Sequence, residues 1–170
     1  MSLYEPTVLQ FSKMLNNFEV WLDAAAEHAK SKNFDVSVLL TSRLAPDQFH
    51  LIRQVQAACD QAKSTAARLA GQDPPKHADT EVTLDELKAR IATVKSYLAT
   101  FTPAHFEGAE ARAISLPFLP GKVMTGVNFL HEMALPNFYF HATTAYAILR
   151  HNGVALGKQH FIGGLTLADA

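Results

Sequence analysis

A single histidine dominates the chemistry legible in the stretch LPNFYFHATTAYAILRHNG, residues 135–153. The imidazole of His141 can exchange a proton near neutrality, ligate a metal, or anchor a ligand by hydrogen bonding. Asn137 stands one helical turn before it and Thr144 just under a turn after it, so a helix would aim all three toward one region. Arg150, further along, could hold an anion with its guanidinium fork or complement the negative end of a helix dipole. A plainer reading competes with these. An inward imidazole could serve only the core, hydrogen-bonded to a Tyr, Thr or Gln, because leaving it unpaired would cost roughly 1–3 kcal/mol.

The other candidates are weaker. Cys59 falls on the apolar row of a helix and has no CxxC partner, so it reads as a small buried hydrophobe. His28 suits a helix C-terminus, where positive charge is favoured. His50 lies nearly opposite the apolar row of the second expected helix and should face solvent, and His77 sits in a polar, proline-bearing connection. His131 receives no role. Lys158 and His160 could join Arg150 from the tail, but read more simply as solvated surface groups.

Four helices are needed to position these residues. Val8, Phe11, Leu15, Phe18, Leu22, Ala25 and Ala29 recur at steps of three and four, with Met14, Trp21 and His28 as a flanking row, and predict a first helix from Thr7 to about Lys30. Residues 31–45 read as a packed connection holding one helical turn. Pro46 and Asp47 predict the start of a second helix that ends at Gly71, with Ile52, Val55, Cys59, Ala62, Ala66 and Leu69 inward. Thr83-Leu-Asp-Glu86 fits a capping box, and the third helix should run from it to about Phe101, before Pro103. Residues 102–134 carry Gly108, Pro117, Pro120, Gly121 and Gly126 as interruptions, and Ala113–Leu116 could pair with Lys122–Met124 as a short hairpin. The last helix should begin near Pro136 and stop at Asn152-Gly153. Its tail holds Val154, Leu156, Phe161 and Ile162, enough apolar surface to dock on the body.

The totals agree with an all-α, up-down four-helix bundle in one domain spanning 1–170. Hydrophobic residues make up 48% of the 170, charged residues 18%, and the formal charge is −1, which supports neither disorder nor a nucleic-acid-binding surface. The one cysteine cannot form an intramolecular disulfide, and the start of the chain lacks an export signal, so a cytoplasmic setting is expected. No apolar run approaches the ~20 residues that cross a bilayer, so no membrane partner is expected.

The phrases LAPDQF, RQVQAACDQAKSTAARLAG and LPNFYFHATTAYAILRHNGVALGKQHF resemble an uncharacterised bacterial branch of the DinB/YfiT-like four-helix-bundle superfamily, over nearly the whole chain. That superfamily includes metalloenzymes and thiol-dependent transferases. Its last helix typically carries His-x-x-x-His before a Leu-Arg-x-x-Gly ending, with a third ligand histidine from the second helix. The spacing from His141 to Leu149-Arg150 and Gly153 matches the second histidine, and Asn137 stands where the first belongs. The second helix offers Gln48, Gln54 and Gln56 in place of a histidine. The resemblance therefore implies the bundle and a degenerate metal site, with His141 and Asn137 as remnants. A carboxamide is a weak donor to transition metals, so no cofactor is expected, and zinc or nickel is the lesser alternative. The leading expectation is a small-molecule-binding protein with a polar pocket around His141, lined also by Asn137, Thr144, Gln54 and Arg150, and acting as a homodimer. The alternative is a thiol-dependent transferase or isomerase, metal-assisted or using His141 as general base.

Overall fold

Amphipathic periodicity becomes four long antiparallel helices in the computed structural model, which describes residues 2–168. A π-helical turn, Glu5–Leu9, runs without a break into α1, Gln10–Ser31, and buries Phe11, Leu15, Phe18, Trp21 and Leu22. One helical turn, α2 (Ser37–Leu40), punctuates the connection to α3, Leu51–Leu69. Helix α4 spans Leu84–Leu98, and the Thr83 hydroxyl and Glu86 carboxylate close its capping box reciprocally. Phe101 lies beyond the end of α4 but stays buried, so the apolar row outlasts the helix.

Strands β1 (Ala113–Ser115) and β2 (Val123–Thr125) pair antiparallel, with Ile114 opposite Met124, as the short hairpin predicted from their sequence. From there the chain is helical to the end of the bundle: α5 (Gly126–Asn128), a π-helical stretch (Phe129–Ala134) and α6 (Leu135–His151) follow one another directly. Gly126 therefore starts an element instead of interrupting one. A Cβ there would lie 1.9 Å from the Ala109 carbonyl oxygen, so only glycine admits this close approach. Pro136, which has no N–H for an α-helical bond, follows the junction where the wider π spacing gives way to α. Gly153, at φ +86°, lets the chain leave α6.

The second helix begins later than its proline suggests. Pro46 and Asp47 lie outside α3, whose N-cap is His50: the ring nitrogen Nδ1 accepts from the Arg53 N–H at 3.4 Å. An imidazole thus does the work expected of the proline turn. The prediction that His50 faces solvent from a helix falls with that boundary. It is half-buried at the cap.

Helix α3 packs against α6 and α4, and α1 closes the bundle against the same two. Ala62 and Ala66 are fully buried along α3, where small side chains suit close helix packing. The tail folds back as α7, Lys158–Ile162, where Phe161 stacks on Trp21 with ring centroids 5.5 Å apart. The Trp21 indole N–H donates to the His160 carbonyl at 2.9 Å, and Asn17 Nδ2 donates to that of Phe161 at 2.8 Å. No helix among the described residues is long and apolar enough to cross a membrane.

Candidate functional site

Helices α3 and α6 meet along a seam of neutral polar side chains in an otherwise apolar interface. His141, 8% exposed, directs Nδ1 at Gln54 Oε1 across 2.8 Å. The amide orientation of Gln54 is set from behind, because its Nε2 donates to the Phe49 carbonyl at 3.0 Å and a carbonyl can only accept. Gln54 Oε1 is therefore an acceptor, and Nδ1 of His141 carries the proton. In the neutral ring, Nε2 is left with its lone pair. That nitrogen has no hydrogen-bond partner among the described residues and is not fully enclosed. Burial, together with the positive charge of Arg53, holds the imidazole below its ordinary pKa of 6.5.

The other predicted residues are placed differently. Asn137 is half-buried and does not meet Gln54; its Nδ2 donates to Gln61 Oε1 at 2.8 Å, and Gln61 Nε2 in turn donates to Thr65 Oγ1 at 2.9 Å. The buried Thr144 hydroxyl donates to the Phe140 carbonyl at 2.7 Å, within its own helix. Arg150 is exposed and donates to the Val154 carbonyl at 2.8 Å, closing the end of α6. It stands about 13 Å along the helix axis from His141 at 1.5 Å per residue, which separates it from that end of the seam. Of the α3 glutamines, Gln54 alone reaches His141. Gln48 lies before the helix, and Gln56 faces the opposite side, where it donates to Glu81 at 2.9 Å. Lys158 and His160 are exposed on α7, as is His131 on the π-helical stretch. His28 is half-buried against the Phe34 ring.

The donor set does not suit a divalent ion. It has one imidazole, and the groups nearest to it in role are carboxamides already satisfied by each other or by the backbone. Among the described residues, no three His, Cys, Asp or Glu side chains converge as metal ligands. Cys59 is fully buried, and burial pushes its thiol up to about 12, so it is no nucleophile.

On its other face α3 carries a cluster that the sequence reading did not isolate. Arg90 of α4, 4% exposed, donates to Asp60 at 2.6 Å, Asp79 at 2.9 Å and Glu81 at 3.0 Å. Lys63 reaches Asp60 at 2.7 Å and His77 Nδ1 at 2.8 Å, and Arg53 reaches Asp79 at 2.6 Å. Burial opposes ionisation of Asp79 and Glu81, but hydrogen bonds and the arginine charges outweigh it and hold both below the usual carboxylate range. Asp79, at φ +53°, pairs with both Arg53 and Arg90, so the connection between α3 and α4 is clasped to the bundle. The signal was available: Arg90 falls within the Leu87, Ile91, Val94 row, an inward position for a charge. Arg53 stands at the edge of this cluster and on the wall of a groove of about 620 Å³ that also touches His50, Ile52 and Gln56.

Four antiparallel helices with a short hairpin before the last of them form a DinB-like bundle, and comparison places it. The family model described as Domain of unknown function (DUF1993) matches residues 3–162, and the chain belongs to that family. It is 53% identical to a DinB family member protein from Shewanella denitrificans of known crystal structure, with a TM-score of 0.96, covering 99% of this chain and 96% of that one. No curated protein matches.

Proposed function

We propose that this protein binds a small molecule at His141 without help from a metal. The observation that carries the reading is the chain Phe49 C=O to Gln54 to His141, which fixes the ring's tautomer and leaves Nε2 as an unpaired acceptor. A fully enclosed core histidine would have both ring nitrogens paired, whereas Nε2 here is neither paired by the described residues nor fully enclosed. Asn137, Gln61 and Thr65 extend the same seam and hold α3 and α6 in register, while Thr144 and Arg150 support the helix that carries His141.

A second reading, His141 as general base in a transferase or isomerase, draws on the lowered pKa. At neutral pH the ring is uncharged and Nε2 can take a proton from a thiol or hydroxyl. Ligand-observed NMR with a library of small polar fragments, run on the wild type and on His141→Phe, tests the binding reading. Fragments that bind the wild type and are lost from the variant are expected. A library whose hits bind both proteins equally would contradict it.

A further inference from the structure

At the opposite end of α3 from Gln54 an arginine stands without work. Arg68 occupies the last turn of the helix, half-buried, where a cation ordinarily satisfies the terminal carbonyls. Those carbonyls are already taken. The N–H groups of Ala70, Gln72 and Gly71 donate to the carbonyls of Ala66, Ala67 and Arg68 at 3.0, 2.8 and 3.0 Å, and Nη1 of Arg112 donates to that of Leu69. The Arg68 guanidinium itself has no hydrogen bond or ion pair among the described residues. Burial holds its pKa below the usual value, and the charge of Asp73 opposes that shift without contact. The fork is thus partly stripped of water and has no protein acceptor in exchange.

Arg68 lines an open groove of about 610 Å³ together with Lys63, Lys76 and His77, and Pro74, Pro75 and Pro117 give the groove apolar wall. Its polar groups differ in how far they are committed. Lys63, 4% exposed, is held by Asp60 and by Nδ1 of His77. An ammonium can only donate, so Nδ1 accepts and the neutral His77 ring carries its proton on Nε2. Burial and the charges of Arg90 and Lys63 keep that ring below its ordinary pKa, so the nitrogen it has left for a ligand is a donor. Of the two acids on the wall, Asp60 is shared by Arg90 and Lys63, and Asp73 is exposed. Set against Asp73, Arg68 and Lys76 leave a surplus of positive charge.

We infer that this groove binds a small organic oxyanion, a carboxylate or a phosphate monoester, with its charge on the Arg68 fork and its body along the prolines. The parallel N–H groups of the fork suit two oxygens of either anion. A neutral molecule of the same shape would leave the fork unpaired. The site is separate from the one at His141: Arg68 lies fourteen residues beyond Gln54, about 21 Å along the helix at 1.5 Å per residue.

The test titrates phenyl phosphate, benzoate and neutral benzamide into ¹⁵N-labelled protein followed by NMR, for the wild type, Arg68→Gln, Arg43→Gln and His141→Phe. At least one anion should bind the wild type roughly tenfold or more tighter than benzamide, as expected for charge-assisted hydrogen bonds. Arg68→Gln, which removes no hydrogen bond from the fold, should abolish that preference. Arg43→Gln removes the same charge from an exposed site elsewhere, and it and His141→Phe should retain the preference. The tighter anion identifies the source, phosphoryl or carboxylate. Equal affinity for anions and benzamide, a preference that survives Arg68→Gln, or one lost equally in Arg43→Gln would overturn the inference, as would no binding of any probe at millimolar concentration. A preference lost in His141→Phe but kept in Arg68→Gln would move the anion to the His141 site and overturn this one.

Discussion

Helix α3 shows two polar faces, and they are built on opposite principles. Toward α6 it presents Gln54, Gln61 and Thr65, neutral groups that pair with His141 and Asn137 and leave one acceptor open. Toward α4 it presents Asp60 and Lys63, with Arg53 and Gln56, in a charged cluster closed around the buried Arg90. The charged face is the more costly to disturb, because removing one ion strands its partners in a poorly solvated place. The neutral face is cheaper to alter, and its open nitrogen is the group with chemistry to spare. The conspicuous charges belong to architecture here, and the quiet amides to the proposed site.

Breaking the charged face should have the largest effect. Arg90→Ala should cost about 3 kcal/mol or more, since Asp60, Asp79 and Glu81 lose their shared cation; urea denaturation measures it, and a cost near that of a surface residue would show the cluster to be ornamental. On the neutral face, Gln54→Leu should cost roughly 1–3 kcal/mol by stranding the His141 N–H. Adding His141→Phe to it should recover much of the loss, and a double-mutant cycle with no coupling would remove the dyad from the account. Away from both faces, Thr83→Ala should cost about 1 kcal/mol through the lost cap of α4. Lys88→Ala, which breaks an exposed pair with Asp23, should change stability by about 0.5 kcal/mol or less.

Acid should separate the two faces in pH. The folded pKa of His141 lies below 6.5, so folding favours the neutral ring; the stability this contributes is full above 6.5 and is lost as pH falls through the folded value. His77 and His50 are shifted in the same direction and add to that limb. Asp79 and Glu81, whose folded values lie below the usual 3.8 and 4.5, hold their contribution down to those values and lose it at more acidic pH. Thermal melts across pH should show two acid limbs. His141→Phe should shrink the upper one and leave the lower unchanged.

Much of this was legible in the sequence where one physical rule acts alone. Steps of three and four placed the apolar rows of all four helices, and the Thr83–Glu86 box marked α4. Boundaries moved where a tertiary contact competed with a local signal: an imidazole cap at His50 overrode Pro46, and π-helical turns carried α6 back toward Gly126. At the site, spacing put His141 and Asn137 on one face, but not their partners. Asn137 meets Gln61, two turns beyond Gln54 on α3, because partner choice depends on how antiparallel helices are aligned along their axes, which spacing within one helix does not encode. Arg90, set inward among Leu87, Ile91 and Val94, must be paired, but its row does not specify that Asp60, Asp79 and Glu81 from outside α4 supply the partners.

The central claim is that His141 is a neutral, oriented imidazole with Nε2 open, and its ring nitrogens report this directly. Long-range ¹H–¹⁵N NMR of the imidazole, followed through a pH titration, should show the proton on Nδ1 at neutral pH and a midpoint below 6.5. Gln54→Leu should relax that tautomer preference. A proton on Nε2, or a midpoint at or above 6.5, would contradict the account.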